Sequence, residues 1–218
     1  LFEILPGVLM WTTFIAPIWL AFYWPKYVAM VIMIYALFWF FRTVQMSYYL
    51  IMGYLGYRKA LRVPWLANLK KTYPKKWDNV IQLVFVPMYK EDYSIVEATF
   101  EALLASDYPA QSIIPVLCTE ERAGEVASQT AERLKAKYAS QLANFYVTVH
   151  PANSVGEVKG KGPNITFAAR EVVPQILKTY DATNVLVTTL DADNRVDPQY
   201  FSCVSQAFLD SPDPINCF

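Results

Sequence analysis

An uncharged stretch near the start of the chain sets the strongest limit on its fold. The twenty-two residues between Glu3 and Lys26 carry no charge, and a helix needs about 20 apolar residues to cross a bilayer. A second apolar stretch, interrupted by Arg42 and rich in aromatic side chains, continues to Tyr57. We therefore predict that residues 1–57 form either two transmembrane helices or one transmembrane and one interfacial helix.

Charge divides the chain close to the same position. Residues 1–77 contain nine Lys and Arg against one acid, whereas residues 78–218 contain ten against eighteen. Seven of the cations lie within 58–78, and an excess of Lys and Arg marks the cytoplasmic side of a membrane protein. We predict a basic juxtamembrane linker at 58–78 that contacts membrane lipids, with a solvated linker as the alternative. Its predicted interfacial anchors are Trp65, Tyr73 and Trp77.

The apolar segments predict a protein that is integral to the inner or plasma membrane. The cations that follow them predict that the remaining domain lies in the cytosol. Its excess of acids disfavours a nucleic acid partner, because binding to phosphates depends on Lys and Arg. The cysteines lack the spacing of metal ligands and are expected to be packing residues in a reducing compartment. They are Cys118, Cys203 and Cys217.

From Val80 onward, strand-like and helix-like blocks alternate with short polar joints, which predicts an α/β fold with a Rossmann-like, mainly parallel sheet. The predicted strands are Val80–Val86, Ile113–Leu117, Phe145–Val149 and Asn184–Leu190. The predicted helices are Ser94–Ser106, Glu121–Leu142, Asn164–Thr179 with a kink or an end at Pro174, and Pro198–Leu209. In the second helix, Val126, Leu134 and Tyr138 are expected to face the core.

Two carboxylates follow the fourth predicted strand. Asp191 and Asp193 lie one residue apart, and Mg²⁺ or Mn²⁺ bound to a diphosphate prefers oxygen ligands of this kind. Ligands bind outside the carboxyl ends of strands in open parallel sheets. The pair therefore predicts a metal-nucleotide site, although an ordinary strand-to-helix turn is the commoner meaning of Asp-x-Asp by itself.

A loop rich in Gly and Lys precedes the third predicted helix of the domain. Lys159 and Lys161 alternate with glycines ahead of Asn164, so cations and backbone N–H groups at a helix amino terminus are available to a phosphate. The Walker order of residues is absent. The alternative is a mobile surface loop.

The first and second predicted strands also end in polar residues. After the first, Tyr89 is able to stack on a base and Glu91 to accept from a ring N–H, with helix capping as the alternative. After the second, Glu120 begins an acidic pair whose alternative role is to stabilise a helix amino terminus. His150, the only histidine, is expected to be a structural or surface residue rather than a catalyst, and dispensable for binding.

Taken together, these strand ends resemble the family 2 glycosyltransferases of the GT-A fold. The segment from Pro87 to Glu91 looks like that family's Pro-x-Tyr-x-Glu opening, Lys159–Asn164 is similar to its Gly-Lys-x-x-Asn loop, and Asp191–Asp193 matches its Asp-x-Asp. The resemblance covers about residues 80–210. The apolar amino-terminal segments look like the membrane-embedded branch that includes cellulose and hyaluronan synthases.

The resemblance implies a metal-dependent, inverting transferase that moves a sugar from a nucleotide-diphosphate-sugar, with a UDP-sugar expected, to a polysaccharide or lipid acceptor. It implies that Mg²⁺ or Mn²⁺ is held by Asp191 and Asp193, with Asp193 as the direct ligand. The implied donor-binding residues are Pro87, Tyr89, Glu91, Glu120, Lys159, Lys161, Asn164 and Asp191.

The sequence departs from the family pattern in two places. Thr119-Glu120-Glu121 stands where the family usually has the Asp pair that holds the base. The resemblance therefore does not determine which base the donor carries. The family's catalytic Asp and its Gln-x-x-Arg-Trp motif are expected downstream of Phe218. We therefore expect residues 79–218 to be an incomplete domain that binds donor weakly and transfers nothing on its own.

Two other functions fit the same residues. A sugar nucleotidyltransferase also surrounds a diphosphate with acids and lysines, although it gives no reason for two membrane helices. A catalytically silent membrane-anchored scaffold would keep the fold without the chemistry. Binding of a nucleotide sugar with Mn²⁺ separates these possibilities.

Overall fold

The structure is a computed structural model that describes residues 2–154 and 156–214. The chain divides into two units, residues 1–63 and 64–218. The predictions for Cys217 and for the end of the domain at Phe218 lie outside the described residues.

The first unit consists of two long helices, α1 (Leu5–Tyr23) and α2 (Pro25–Ala60). Trp24 separates them with a non-helical backbone, φ −134° and ψ 58°. By length and composition both are apolar enough to cross a membrane. The 36 residues of α2 correspond to about 54 Å, which exceeds the roughly 30 Å of a hydrocarbon core. α2 is therefore longer than a helix needs to be to cross a bilayer, and its last turn carries the cations Arg58 and Lys59.

A four-stranded parallel sheet forms the centre of the second unit, as predicted. The strands are β1 (Ile81–Pro87), β2 (Ile113–Glu120), β3 (Tyr146–His150) and β4 (Val185–Thr189). Their order is β3-β2-β1-β4. The two central strands are buried along their whole length, as expected for a sheet covered on both faces. β2 is three residues longer than predicted, so Glu120 lies inside the strand.

Helices cover both faces of the sheet. They are α3 (Trp65–Thr72), α4 (Tyr93–Leu104), α5 (Glu125–Tyr138), α6 (Lys161–Ile176) and α7 (Tyr200–Asp210). α4 and α5 pack on one face around Phe100, whose ring stacks on Tyr138 and Phe145 at centroid distances of 5.7 and 5.0 Å. α6 packs on the other face through Ala168, Val172 and Ile176. The result is a three-layer α/β/α arrangement.

The helix predicted at Glu121–Leu142 is shorter than expected at both ends. Gly124 has φ +83°, a left-handed conformation that suits glycine and interrupts the helix. α5 therefore starts after it, and Val126, predicted to face the core, is 75% exposed. Leu134 and Tyr138 are buried as predicted.

The other helices differ from prediction mainly at their ends. α6 begins three residues before the predicted start and continues two residues past Pro174 to Ile176. α7 begins at Tyr200 rather than at Pro198. Ahead of it the Asp197 carboxylate accepts a hydrogen bond of 2.9 Å from the backbone N–H of Gln199, which forms the turn before the helix.

The predicted linker at 58–78 contains ordered structure. It holds the end of α2 and all of α3, and the second unit begins at Pro64 rather than at residue 79. Leu69 of α3 is fully buried in the domain core. Tyr73 and Trp77, predicted as membrane anchors, pack against the same core, and the Tyr73 hydroxyl contacts the Asp210 carboxylate at 2.7 Å.

Candidate functional site

The carboxyl ends of the four strands meet at one edge of the sheet. The parallel register places Pro87 beside Cys118 and Glu120 beside His150, and the residues after β4 follow at the same edge. Crevices at this edge are where open parallel sheets bind ligands. The predicted site residues are therefore brought together by the topology.

The turn after β1 carries an aromatic ring, Tyr89, that lies close to two cations. The Arg122 guanidinium carbon lies 4.6 Å from the centre of the Tyr89 ring, and Lys90 Nζ lies 5.2 Å from it. Both distances are within the range of cation–π attraction. Glu91 Oε2 accepts a hydrogen bond of 2.6 Å from the Tyr89 backbone N–H, so one of its oxygens closes this turn.

An ion pair forms at the end of β2. Arg122 Nε donates to Glu120 Oε2, and Glu120 is only 7% exposed. A buried carboxylate requires a partner of this kind, and the hydrogen bond with Glu120 raises the pKa of Arg122. Sequence reasoning identified Glu120 but missed Arg122, although a cation two positions after a strand-end acid was an available signal.

The Gly/Lys loop and the Asp-x-Asp segment are in direct contact. Lys161 Nζ, at the start of α6, forms an ion pair with Asp191 Oδ1 after β4. Asp191 and Asp193 are exposed on either side of the buried Ala192, whose carbonyl accepts from Thr99 Oγ1 at 2.7 Å. The two acids are thus held on a turn that is anchored to α4.

Besides Glu120, two of the predicted donor-binding residues are buried. Pro87 is the last residue of β1 and lies within the core. Asn164 is 1% exposed, and its Nδ2 donates to the Cys118 carbonyl at 2.9 Å. Asn164 therefore attaches the first turn of α6 to β2 and does not face the crevice. Lys159, in contrast, is exposed in the loop.

His150, which was expected to be dispensable, lies beside a cavity. Its Nε2 is 2.9 Å from Glu157 Oε2, and Glu157 Oε1 is 3.9 Å from Arg170 Nη1 of α6. The cavity, at the ends of β2 and β3, has a volume of about 270 Å³. It is lined by Glu120, Arg122, His150, Pro151, Ala152, Asn153, Ser154, Glu157, Val158, Lys159 and Gly160. Neither His150 nor Glu157 was predicted to belong to the site.

The acids after β4 fit a metal ion that is shared with a phosphorylated ligand. Among residues 2–154 and 156–214, no group of three or more His, Cys, Asp or Glu side chains is placed to hold a metal ion. Mg²⁺, however, commonly binds through one or two carboxylates together with substrate phosphates and water. Asp191 and Asp193 supply two exposed carboxylates of that kind.

Comparisons with known proteins give a partial structural likeness. No protein-family model matches the chain, and no curated protein matches its sequence. Among solved structures it is similar to a mannosyltransferase from Pyrobaculum calidifontis in complex with GDP-Man and Mn²⁺, at 18% identity and a TM-score of 0.44. The match covers 68% of this chain and 39% of that one, so it spans well under half of the mannosyltransferase.

Proposed function

We propose that the second unit binds a nucleotide-diphosphate-sugar together with Mg²⁺ or Mn²⁺ and is the donor half of a glycosyltransferase. The observation that carries this proposal is the contact between Lys161 and Asp191. It joins a cation at a helix amino terminus, which suits phosphate, to a carboxylate pair that suits a metal. A diphosphate bound between the two would satisfy both groups.

The predicted residues at this edge of the sheet have different roles in the proposal. Tyr89 offers its ring to the nucleoside, with Glu91 fixing the turn that carries it. Lys159 and Lys161 contact the donor phosphates, and Asp191 and Asp193 hold the metal. When bound, the metal would neutralise charge on the departing nucleoside diphosphate. Transfer to a glycan or lipid acceptor with inversion belongs to the same proposal and rests on the family 2 resemblance.

The membrane location is also part of the proposal. The helices α1 and α2 have the length and composition of membrane spans, and the last turn of α2 carries Arg58 and Lys59. Cations in this position favour a cytosolic location for the residues that follow. We propose that the enzyme takes its donor from the cytosol and acts at the membrane surface.

Calorimetric titration of the full chain in detergent with UDP and GDP tests the proposal. Each nucleotide is titrated with and without Mn²⁺. We expect Mn²⁺-dependent binding that falls at least tenfold in Asp193→Asn. A matched control is Asp181→Asn, which neutralises an exposed carboxylate ahead of β4, at the opposite edge of the sheet. Equal binding by the two variants would contradict the assignment of Asp193 as a metal ligand. Absence of all nucleotide binding would contradict the donor-binding function and favour the catalytically silent scaffold.

A further inference from the structure

The cavity at the ends of β2 and β3 has the size and the polarity of a base pocket. Ligand pockets for drug-sized molecules occupy about 300–1,000 Å³. A cavity of about 270 Å³ therefore suits one ring system rather than a whole nucleotide sugar. Lys159 and Gly160 line it as well as Glu120 and Arg122, so the cavity adjoins the loop to which the donor phosphates are assigned.

In the lining of the cavity, Glu120 and Arg122 place a group that only accepts hydrogen bonds next to a group that only donates them. An ionised carboxylate only accepts hydrogen bonds, at about four positions, and a guanidinium only donates, through five N–H groups. One N–H, on Arg122 Nε, is used by Glu120. The terminal nitrogens of Arg122 keep their donors, and they lie directly beside an acceptor-only group.

Guanine is the base whose edge complements that arrangement. It presents the acceptors N7 and O6 next to the donors N1–H and N2–H₂, and Arg pairs bidentately with O6 and N7. The two adjacent donors match the two oxygens of a carboxylate. Uracil presents a single N3–H between two carbonyl oxygens, so the second carboxylate oxygen would face a carbonyl. Adenine and cytosine each place a ring-nitrogen acceptor beside their amino group and also oppose a carboxylate.

We propose that this cavity selects guanine, with Glu120 accepting from N1–H and N2–H₂ and Arg122 donating to O6 and N7. The inference rests on the donor-binding function proposed above and names the nucleotide class of that site as guanosine diphosphate. It differs from the UDP-sugar that the family resemblance implies. The Tyr89 ring, which contacts the Arg122 guanidinium, orients the planar donor fork toward the base.

Competitive titration of the full chain in detergent, with Mn²⁺ present, tests the choice of base. The ligands are GDP, UDP, ADP and CDP, which share the diphosphate and differ only in the base. We expect GDP to bind at least about tenfold more tightly than each of the others, because a bidentate base contact discriminates by a factor of roughly 10 to 100. Equal or tighter binding of UDP, ADP or CDP would overturn guanine selection and leave the proposed function standing.

Substitutions then locate the discrimination. In Glu120→Gln an amide N–H₂ faces the guanine donors, so we expect GDP affinity to fall about tenfold and UDP affinity to change less than twofold. Arg122→Lys keeps the charge but loses the planar fork, and we expect it to weaken GDP in the same way. Glu125→Gln is the matched control, because Glu125 is an exposed acid at the start of α5 outside the cavity.

Inorganic pyrophosphate with Mn²⁺ separates failure of the inference from failure of the site. It carries the diphosphate without a base, so its affinity should be the same in wild type, Glu120→Gln and Arg122→Lys. GDP preference that survives in Glu120→Gln with normal pyrophosphate binding would refute the role of Glu120. A wild-type chain that binds neither pyrophosphate nor any nucleotide would contradict the proposed function itself.

Discussion

His150 Nε2 on β3 lies 2.9 Å from Glu157 Oε2 in the loop that leads to α6. The imidazole also packs edge-on against Phe167 of α6, with ring centroids 5.2 Å apart. One side chain thus contacts both the loop and the helix that follows it. Because the loop continues to Lys159, we expect the position of this cation to depend on the contact that His150 makes, although His150 was expected to be dispensable.

The first prediction concerns this contact. His150→Ala removes the partner of Glu157, so we expect faster amide hydrogen exchange in peptides from residues 151–160 and weaker binding of pyrophosphate with Mn²⁺, by about three- to tenfold. Val149→Ala is the control, since Val149 is a half-exposed neighbour on the same strand. Unchanged exchange in the His150 variant would show that the loop is held by other contacts.

The second prediction separates stability from binding at the ion pair of Lys161 and Asp191. Both side chains are about half exposed, at 49% and 56%, and exposed pairs contribute only about 0–1 kcal/mol. Asp191→Asn should therefore change the free energy of unfolding by less than about 1 kcal/mol while it lowers Mn²⁺-dependent nucleotide affinity at least tenfold. Urea denaturation and calorimetry measure the two effects. A large loss of stability with normal binding would mark the pair as structural.

The positions of the strands were predictable because buried parallel strands have short, nearly continuous apolar sequences. Val84, Val86 and Leu117 belong to such runs, and the structure places all three in the core. Helix ends were less predictable. Gly124 interrupts a stretch that otherwise reads as one helix, and its positive φ follows from the path of the chain rather than from composition. Val126 was assigned to the core because the predicted helix ran through Gly124 without interruption.

The site was predictable only where strand ends determine it. Tyr89, Glu120 and Asp191 follow β-rich runs, so a parallel topology brings them to one edge. The sequence does not show how far each side chain reaches. Asn164 is buried and donates a hydrogen bond to the Cys118 carbonyl. Glu157 lies at the site because its loop brings it into contact with His150. Such contacts depend on packing between segments that are distant in sequence.

The third prediction uses acid to test the link between α4 and α5. The Glu97 carboxylate accepts from Lys137 Nζ at 2.7 Å and from the Tyr93 hydroxyl at 2.6 Å. These contacts, led by Lys137, lower the pKa of Glu97 from its ordinary 4.5. A carboxyl group with a lowered folded-state pKa stabilises the fold above its unfolded pKa, and the stabilisation is lost as the pH falls through the folded value.

Glu97→Gln should therefore lower the melting temperature at pH 7, and its melting curve should converge with that of the wild type well below pH 4.5. Thermal denaturation followed by circular dichroism between pH 3 and 7 measures this, with pH values chosen around the ordinary carboxyl pKa. Glu101→Gln, one turn further along α4 and exposed, controls for loss of a negative charge. A difference from wild type that stayed constant with pH would argue against the ionic origin of the link.

The last prediction concerns a buried polar pair between the sheet and α7. Gln82 Nε2 donates to Ser205 Oγ at 2.8 Å, and both residues are fully buried. Ser205→Ala leaves the amide without its acceptor, which costs about 1–3 kcal/mol of unfolding free energy. Replacing both partners by apolar groups can be nearly neutral, so Gln82→Leu combined with Ser205→Ala should be more stable than Ser205→Ala by itself.

Urea denaturation of the two single variants and the double variant gives the coupling free energy, expected at about 0.5–3 kcal/mol. Strict additivity would mean that the hydrogen bond contributes nothing to the packing of α7 on β1.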